Sequence, residues 1–304
     1  MVSKPAMNRF IIVAIIAVAL SGGALYTYNY SKNNTAVDHT GAEHETENTQ
    51  PVDQSHRSYQ LEVISDTLNI KPNQPTTITY RVKNDKGAIL KNYEVTHEKI
   101  MHFILVRKDL QQFQHLHPEF NQSNGEFSVQ VTFPTDGTFR IFPDFTPGDE
   151  NPMKLPVTLN QDINVGDPSK LTPQQVKVDS SPSKTVEGYA ITYKLNPSQP
   201  ISQNEFTYTL TVSRNGQPVT DLEPYLGALG HSVILKEGTL DFIHTHAGEA
   251  APSGMDHGAM TTSNRSGPDI SFSTTFPEGG SYRLFTQFQH QGKIITTDYT
   301  IQVK

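Results

Sequence analysis

The stretch Glu126-Phe-Ser-Val-Gln-Val-Thr-Phe133 alternates polar and apolar side chains along most of its length. Successive side chains of a β-strand point to opposite faces, so this pattern predicts a strand with one buried face. A similar period of two recurs in Thr76-Thr-Ile-Thr-Tyr-Arg-Val82, Phe206-Thr-Tyr-Thr-Leu-Thr-Val212 and Asp269-Ile-Ser-Phe-Ser-Thr-Thr-Phe276. Short alternating strands separated by Gly, Pro and Asn are typical of a β-sandwich.

The region that contains these strands is a tandem repeat. The segment Phe133-Pro134-x-x-Gly137-x-Phe139-Arg140-x-Phe142 matches Phe276-Pro277-x-x-Gly280-x-Tyr282-Arg283-x-Phe285. Each half has about 110 residues, which is a typical size for an immunoglobulin-like domain. We therefore predict an all-β fold with two tandem immunoglobulin-like β-sandwich domains, at residues 59–168 and 169–304, after an N-terminal membrane helix.

Composition excludes several classes of function. The 304 residues include no cysteine, which rules out disulfides, thiolate zinc sites, iron–sulfur clusters and a cysteine nucleophile. The net charge of −7 argues against a nucleic-acid partner, because phosphate binding needs a basic patch. The sequence has twelve histidines. A bound metal would therefore be held by His, Met, Asp or Glu.

The first 30 residues predict a membrane signal. Lys4 and Arg9 precede an apolar run over residues 10–20, and this charge order keeps the N-terminus inside the cell. We expect residues 1–30 to be an uncleaved single-pass anchor in the cell membrane, with both domains extracellular. The alternative is a signal peptide that is cleaved near Ser21, which would give a secreted protein.

Residues 31–58 predict a disordered acidic linker, since they contain almost no large apolar side chain. The linker carries His39, His44 and His56 among several carboxylates. It is either a solvated tether, which we favour, or a mobile arm that collects metal.

Histidines follow the same spacing, His-x12-His-x-His, in both halves. In the second half the three are His231, His244 and His246. A two-residue hairpin turn at Gly238-Thr239 would place His231 directly opposite His246, with His244 on the same face. Opposed residues have Cβ atoms about 4.5–5.5 Å apart, so the three imidazoles could share one ion.

The first half permits the same construction around Asp109-Leu110. It places His102 opposite His117, with His115 on the same face. Three imidazoles suit Cu²⁺ or Zn²⁺, and we expect copper, with zinc as the alternative. Structural packing of the histidines and contacts to an anion or another ligand remain open.

Further ligands are suggested by alignment of the halves. Asp144 aligns with Gln287 and could be a fourth ligand in the first domain, or else a turn residue. His97 has no counterpart, because Leu226 occupies the equivalent position.

The second half also contains an insertion at residues 247–266, with the sequence Met255-Asp-His257-Gly-Ala-Met260. Thioethers are soft ligands that select Cu(I), so Met255, His257 and Met260 are predicted metal ligands. An ordinary flexible loop is the alternative.

These motifs resemble those of a group of bacterial proteins. Tyr225-Leu-Gly-Ala-Leu-Gly-His231 followed by Phe242-Ile-His-Thr-His246 is similar to a motif of secreted or membrane-anchored proteins often associated with heavy-metal handling. Met101-His102 with His115-Leu-His117-Pro118 is a second version, whereas Ala247 replaces the proline in the second half. The methionine loop resembles copper-binding loops of periplasmic copper-resistance proteins. The resemblance implies immunoglobulin-like domains and metal association, but no known reaction.

Taken together, the sequence predicts a membrane-tethered extracytoplasmic protein, not an enzyme, that captures, buffers or delivers copper. Its expected partners are the metal ion, the membrane, and a metal transporter or another extracytoplasmic protein. The alternative is an immunoglobulin-like binding or adhesion module with structural histidines. A zinc hydrolase is disfavoured, since no general base accompanies the triads and no HExxH, GxSxG or P-loop motif occurs.

Overall fold

The computed structural model describes residues 58–148, 154–248 and 266–304. Within these ranges the chain forms β-strands and one 3₁₀ helix, Pro168–Lys170, and no α-helix. The predicted all-β class is thereby confirmed. No helix in the same ranges is long and apolar enough to cross a membrane. The predicted anchor, the linker up to residue 57, and Met255, His257 and Met260 lie outside the described residues.

The first half of the repeat folds into two antiparallel sheets. Its strands are β1 (Gln60–Val63), β2 (Pro75–Lys83), β3 (His102–Arg107), β4 (Gln114–Leu116), β5 (Glu119–Asn121), β6 (Glu126–Thr132), β7 (Gly137–Phe145), β8 (Val157–Thr158) and β9 (Gln161–Val165). One sheet has the order β1-β2-β6-β5, and the other has the order β4-β3-β7, with β8 and β9 both paired to β7. We call this pair of sheets the first sandwich.

Alternation along β2 and β6 builds the core between these sheets. Ile78, Tyr80 and Val82 of β2 are buried, while Thr79 and Arg81 between them are more exposed. The ring of Tyr80 stacks on Phe127 of its own sheet and on Phe103 of the facing sheet, with centroids 5.4 and 5.5 Å apart. The apolar side of each sheet is therefore covered by the other.

The second half forms a second sandwich with its own core. Its strands are β10 (Ser183–Val186), β11 (Tyr189–Asn196), β12 (Glu205–Arg214), β13 (Gln217–Pro218), β14 (His231–Lys236), β15 (Phe242–His246), β16 (Asp269–Thr275), β17 (Gly280–His290) and β18 (Lys293–Val303). One sheet has the order β10-β11-β12, with β13 and β16 both paired to β12. The other has the order β15-β14-β17-β18.

Both halves follow the strand order of an immunoglobulin sandwich. Lettered along the chain, strands A, B and E share one sheet and strands C, F and G share the other. In the first sandwich these are β1, β2 and β6 with β3, β7 and β9. In the second they are β11, β12 and β16 with β14, β17 and β18. The domain boundary near residue 168 stays a prediction.

The two sandwiches pack against each other through their β3 and β14 sheets. A third apolar cluster lies between them and includes Ile104 and Val106 of β3 with Val233 and Leu235 of β14. These side chains alternate with core residues, so both strands are buried on both faces. Both sandwiches belong to the same compact unit of the chain.

Contacts across this interface are reciprocal. Phe113 stacks on Phe285 with centroids 4.4 Å apart, and Phe242, the repeat equivalent of Phe113, stacks on Phe142 at 5.2 Å. Two equivalent arginines also make reciprocal contacts. Arg140 donates to the carbonyl of Thr239, and Arg283 donates to the carbonyl of Leu110. Such reciprocity is the signature of an isologous interface, here formed within a single chain.

Candidate metal centre

The predicted hairpin register is present in the second sandwich. His231 pairs directly with His246, and Val233 pairs with His244. The connection is longer than the predicted two-residue turn, since the N–H of Lys236 bonds the carbonyl of Asp241. Residues 237–240 therefore form the loop, which keeps the same centre and hence the same register.

The first sandwich has the equivalent register. Phe103 pairs with Leu116 and Ile104 pairs with His115, so the next step along the strands brings His117 opposite His102. On the other side of β3, His102 pairs with Asp144 of β7, and His231 likewise pairs with Gln287 of β17. The strands that carry Asp144 and its counterpart Gln287 therefore run beside the histidine-bearing strands.

The histidines of the first sandwich form a close set. The rings of His102 and His115 have centroids 5.3 Å apart, those of His102 and His117 are 5.2 Å apart, and those of His115 and His117 are 4.9 Å apart. One nitrogen from each ring lies within 4.8 Å of the other two. Sequence reasoning therefore identified a set whose nitrogens can converge on one ion. We call it the first triad.

A second convergent set differs from the predicted one. One nitrogen each of His231 and His246 lies within 4.8 Å of a nitrogen of His97, which comes from the first sandwich, and His244 is not part of this set. The ring of His97 stacks on His246 at 3.4 Å and lies edge-on to His231 at 5.4 Å. We call His97, His231 and His246 the bridging triad. His244 is close by, with its ring 4.5 Å from that of His246.

All seven of these histidines form one cluster between the sandwiches. The sequence predicted a separate triad in each domain, but the packing of the β3 sheet on the β14 sheet brings both sets together. The rings of His102 and His231 are 6.2 Å apart, and those of His115 and His244 are 5.9 Å apart. His102 and His231 are only 2% and 1% exposed. His246 is also buried and the other four rings are half-buried, so both halves cover the centre of the cluster.

Each sandwich orients one histidine of the other. Nδ1 of His115 lies 2.8 Å from Oε1 of Gln287, and Nδ1 of His244 lies 2.8 Å from Oδ2 of Asp144. These two bonds are repeat equivalents. Metal-binding histidines commonly use one ring nitrogen to donate to such an oxygen, which leaves the other nitrogen for the ion. Asp144 is thus placed as a partner of a histidine ring as well as a potential ligand.

Hydrogen bonds to the backbone decide which nitrogen carries the proton. A carbonyl oxygen can only accept a hydrogen bond. Nε2 of His231 is 2.8 Å from the carbonyl oxygen of Tyr225, so Nε2 is protonated and Nδ1 keeps its lone pair. Nδ1 of His231 is buried and has no hydrogen-bond partner among the described residues, and the same is true of Nε2 of His117.

Burial keeps these rings neutral. Burial, together with repulsion from His244 and the other rings, lowers the pKa of His102 to about 2. Burial also lowers the pKa of His117 to about 4, and it lowers the pKa of His115 and of His231 well below the ordinary value. Neutral imidazole is the form that binds metal ions.

The carboxyl group of Asp144 has the opposite perturbation. Burial raises its pKa, although the hydrogen bond from the Thr158 hydroxyl to Oδ1, at 2.7 Å, acts against that shift. In the other sandwich Gln287 donates from Nε2 to the hydroxyl of Thr296 at 3.0 Å. At these equivalent positions the two sides of the cluster therefore share one architecture but differ by one ionisable group.

Not every histidine belongs to this cluster. His290 is buried elsewhere in the second sandwich, where Nδ1 bonds the hydroxyl of Tyr189 at 2.8 Å and Nε2 bonds Asp221 at 3.0 Å. Sequence reasoning left His97 unassigned. One sequence signal bears on it, namely the unbroken apolar run Phe103-Ile-Leu-Val106. Such a run indicates that the strand is buried on both faces, and hence that another part of the protein packs on the histidine side of the sheet.

Comparison with solved structures gives distant likenesses. The adhesin FdeC of Escherichia coli aligns at 13% identity with a TM-score of 0.24, covering 81% of this chain and 64% of its own. Domains 5–6 of the S-layer protein SbsC align at 14% identity and 0.23, covering 82% and 98%. The D00-D0 domain of intimin aligns at 12% and 0.21, covering 80% and 99%. This chain spans less than two thirds of the FdeC chain.

These TM-scores are all below 0.5, so the immunoglobulin-like strand order rests on the strand pairing described above. No curated protein matches the sequence. One family model does match, and its description is "Domain of unknown function (DUF8832)". It covers residues 54–161 and 184–304, which follow the two sandwiches and make up well over half of the chain. The chain therefore belongs to the DUF8832 family.

Proposed function

We propose that the histidine cluster binds divalent metal ions and that the protein is an extracytoplasmic copper-binding protein, with zinc as the alternative ion. Copper and zinc both suit imidazole ligands. The chain provides no thiolate, and the convergent donors of the described residues are ring nitrogens with one nearby carboxyl group. We propose a non-enzymatic role in capture, buffering or delivery of the ion.

One contact carries this proposal. Nδ1 of His102 lies 3.0 Å from Nε2 of His115. The carbonyl of Thr96 bonds Nε2 of His102 at 3.3 Å, and Oε1 of Gln287 bonds Nδ1 of His115, so each facing nitrogen is the one that keeps the lone pair.

Two lone pairs at this distance repel each other unless a cation lies between them. A proton is a poor candidate, because burial lowers the pKa of His102 to about 2 and that of His115 well below its ordinary value. A metal ion satisfies both nitrogens without any change in protonation. Nε2 of His117, which is buried and has no hydrogen-bond partner within the described ranges, is the natural third ligand.

The cellular setting of this proposal comes from the sequence. The apolar run at residues 10–20 supports a membrane tether, with the sandwiches outside the cell. Met255, His257 and Met260 have the ligand types that bind Cu(I), and we propose that their loop passes copper to or from a transporter or another extracytoplasmic protein.

Titration of the full chain with Cu²⁺ or Zn²⁺, followed by native mass spectrometry and calorimetry, tests the proposal. We expect His115→Ala and His117→Ala each to remove one bound ion. The control is His290→Gln, which changes another buried histidine and should leave the number of bound ions unchanged. An identical ion count in all four proteins would contradict metal binding by the cluster.

The second candidate is an immunoglobulin-like binding or adhesion module whose histidines are structural. Its support is the architecture itself, namely two sandwiches joined face to face with histidine rings packed across the joint. In that case a chelator would leave the melting temperature unchanged, and neither Cu²⁺ nor Zn²⁺ would shift it. A metal-dependent shift that is lost in His115→Ala excludes this candidate.

A further inference from the structure

The bridging triad takes its ligands from both sandwiches. His97 precedes β3 in the first sandwich, whereas His231 begins β14 and His246 ends β15 in the second. The backbone of His97 has a left-handed φ of 50°, and this turn places its ring on that of His246. A ligand set of this kind cannot be completed by either half of the chain alone.

The hydrogen bonding of the His231 ring indicates a metal ligand rather than simple packing. Its Nε2–H donates to the carbonyl of Tyr225. A longer contact, at 3.3 Å, joins Nε2 to the carbonyl of Leu226. The lone pair on Nδ1 is left buried in a residue that is 1% exposed, without a hydrogen-bond partner in the described part of the chain. Leaving a buried polar atom without a hydrogen-bond partner is unfavourable, and a bound cation would satisfy that lone pair.

The bridging triad has no repeat-equivalent set among the described residues. The position equivalent to His97 is Leu226, which has nearly the same left-handed φ of 51°. The position equivalent to Asp144 is Gln287, so the single carboxyl group of the cluster also has no counterpart. Asp144 contacts His244, whose ring lies 4.5 Å from that of His246, so a carboxylate there would lie close to a bound cation and offset its charge. The two ends of the cluster are therefore chemically different.

We propose that His97, His231 and His246 hold a second divalent transition-metal ion that cross-links the two sandwiches, next to an ion in the first triad. This inference rests on the proposed function and assigns one of its ions to the joint between the halves. The rings of the two triads come within 6.2 Å of each other at His102 and His231, so the two ions form a close pair.

The test is the number of Cu²⁺ ions bound by the full chain, counted by native mass spectrometry. Other ligands, such as the histidines of residues 31–58, add the same background to every variant, so differences from wild type are the readout. Asn is suitable at position 97 because it adopts left-handed conformations readily. His97→Leu is a second variant, since Leu226 shows that leucine fits the equivalent turn.

We expect His97→Asn to bind one ion fewer than wild type, and His97→Asn/His246→Asn also to bind one fewer, because both residues serve the same ion. His97→Asn/His117→Asn should bind two fewer. Wild type should give the broadened electron paramagnetic resonance spectrum of two coupled Cu²⁺ ions, and His97→Asn and His97→Leu should give spectra without that coupling.

Three results would overturn the inference. An unchanged ion count in both position-97 variants, with one ion lost in His117→Asn, would leave metal binding in place but remove the bridging ion. A loss of two ions in His97→Asn/His246→Asn would show that these residues serve different ions. If no variant changes the ion count, the proposed function fails as well.

Discussion

His244 of the second sandwich donates its Nδ1–H to Oδ2 of Asp144 in the first, at 2.8 Å. The repeat-equivalent bond runs the other way across the joint, from His115 of the first sandwich to Gln287 of the second. The orientation of one ring in each half therefore depends on a residue of the other half. Because one of the two acceptors is a carboxyl group and the other an amide, the two ends of the cluster can hold ions of different affinity.

Asp144→Asn should weaken Cu²⁺ binding, because it removes the carboxyl group nearest the two triads and the acceptor of His244, whose ring lies 4.5 Å from that of His246 in the bridging triad. The variant keeps the shape of the side chain but removes its negative charge. Competition titration against a chromogenic chelator measures the change.

Asp162→Asn is the matched control for this prediction. Asp162 lies on β9 of the same sheet and pairs with Arg140 and Lys108 outside the cluster. The substitution removes the same charge and should leave the affinity unchanged. Equal affinities of Asp144→Asn and wild type would remove Asp144 from the metal centre.

The metal-free protein should lose stability as the pH falls below about 6.5. The unfolded chain binds protons at ordinary histidine pKa values near 6.5, but the folded chain resists protonation because burial lowers the pKa of His102 to about 2 and of His117 to about 4. The unfolded state then binds more protons, so the free energy of unfolding decreases as pH decreases. His115 and His231 shift in the same direction.

Each strongly shifted histidine contributes about 1.4 kcal/mol per pH unit below 6.5. Burial raises the pKa of Asp144, so this one group opposes the trend by binding a proton more readily in the folded state. Urea unfolding with a chelator present, at pH 8, 7, 6 and 5, measures how the free energy of unfolding depends on pH. We expect a plateau above pH 7 and a steep loss below pH 6, and a flat profile would contradict neutral buried rings.

Local pairing explains how much of the site could be predicted from sequence. The spacing between His231 and His246 and the turn between them determine which residues face each other, because side chains alternate strictly along a strand. This reasoning remained valid although the loop is longer than predicted, since its centre did not move. It also placed Asp144 and Gln287 beside the histidines.

The joining of the two sets could not be predicted in this way. It depends on the packing of Ile104, Val106, Val233 and Leu235 between two sheets, and residues far apart in sequence have no common period that reveals such packing. His97 lies in the two-residue turn between Thr96 and Lys99, before β3, so strand alternation does not apply to it. Its place beside His231 and His246 of the second half follows only from the docking of the sandwiches.

Phe285→Ala should destabilise the joint between the sandwiches. Phe285 is 4% exposed and lies parallel to Phe113, with an angle of 4° between the ring planes. Loss of a buried phenylalanine side chain costs about 3–5 kcal/mol. We also expect weaker Cu²⁺ binding, because the same joint holds the bridging triad together. Chemical denaturation and Cu²⁺ titration measure the two effects.

The double variant Phe113→Ala/Phe285→Ala completes a thermodynamic cycle. If the stacked rings interact directly, the coupling energy should be about 0.5–1.5 kcal/mol. Strictly additive losses of stability would show that each ring contributes only through its own burial.

Cu²⁺ or Zn²⁺ should raise the melting temperature of the full chain, because a ligand that binds only the folded state adds RT ln(1 + [L]/Kd) to its stability. At a free concentration one hundred times Kd this term is about 2.7 kcal/mol for one ion, which corresponds to about 5–11 °C for a chain of roughly 200 folded residues. The ion of the first triad should give this shift in His97→Asn, and wild type should exceed it because a second ion also stabilises the joint. Mg²⁺ is the control, since it prefers oxygen ligands in octahedral geometry and should leave the melting temperature unchanged. A chelator should reverse the whole shift. If His97→Asn and wild type respond equally to Cu²⁺, the second ion adds nothing to the joint.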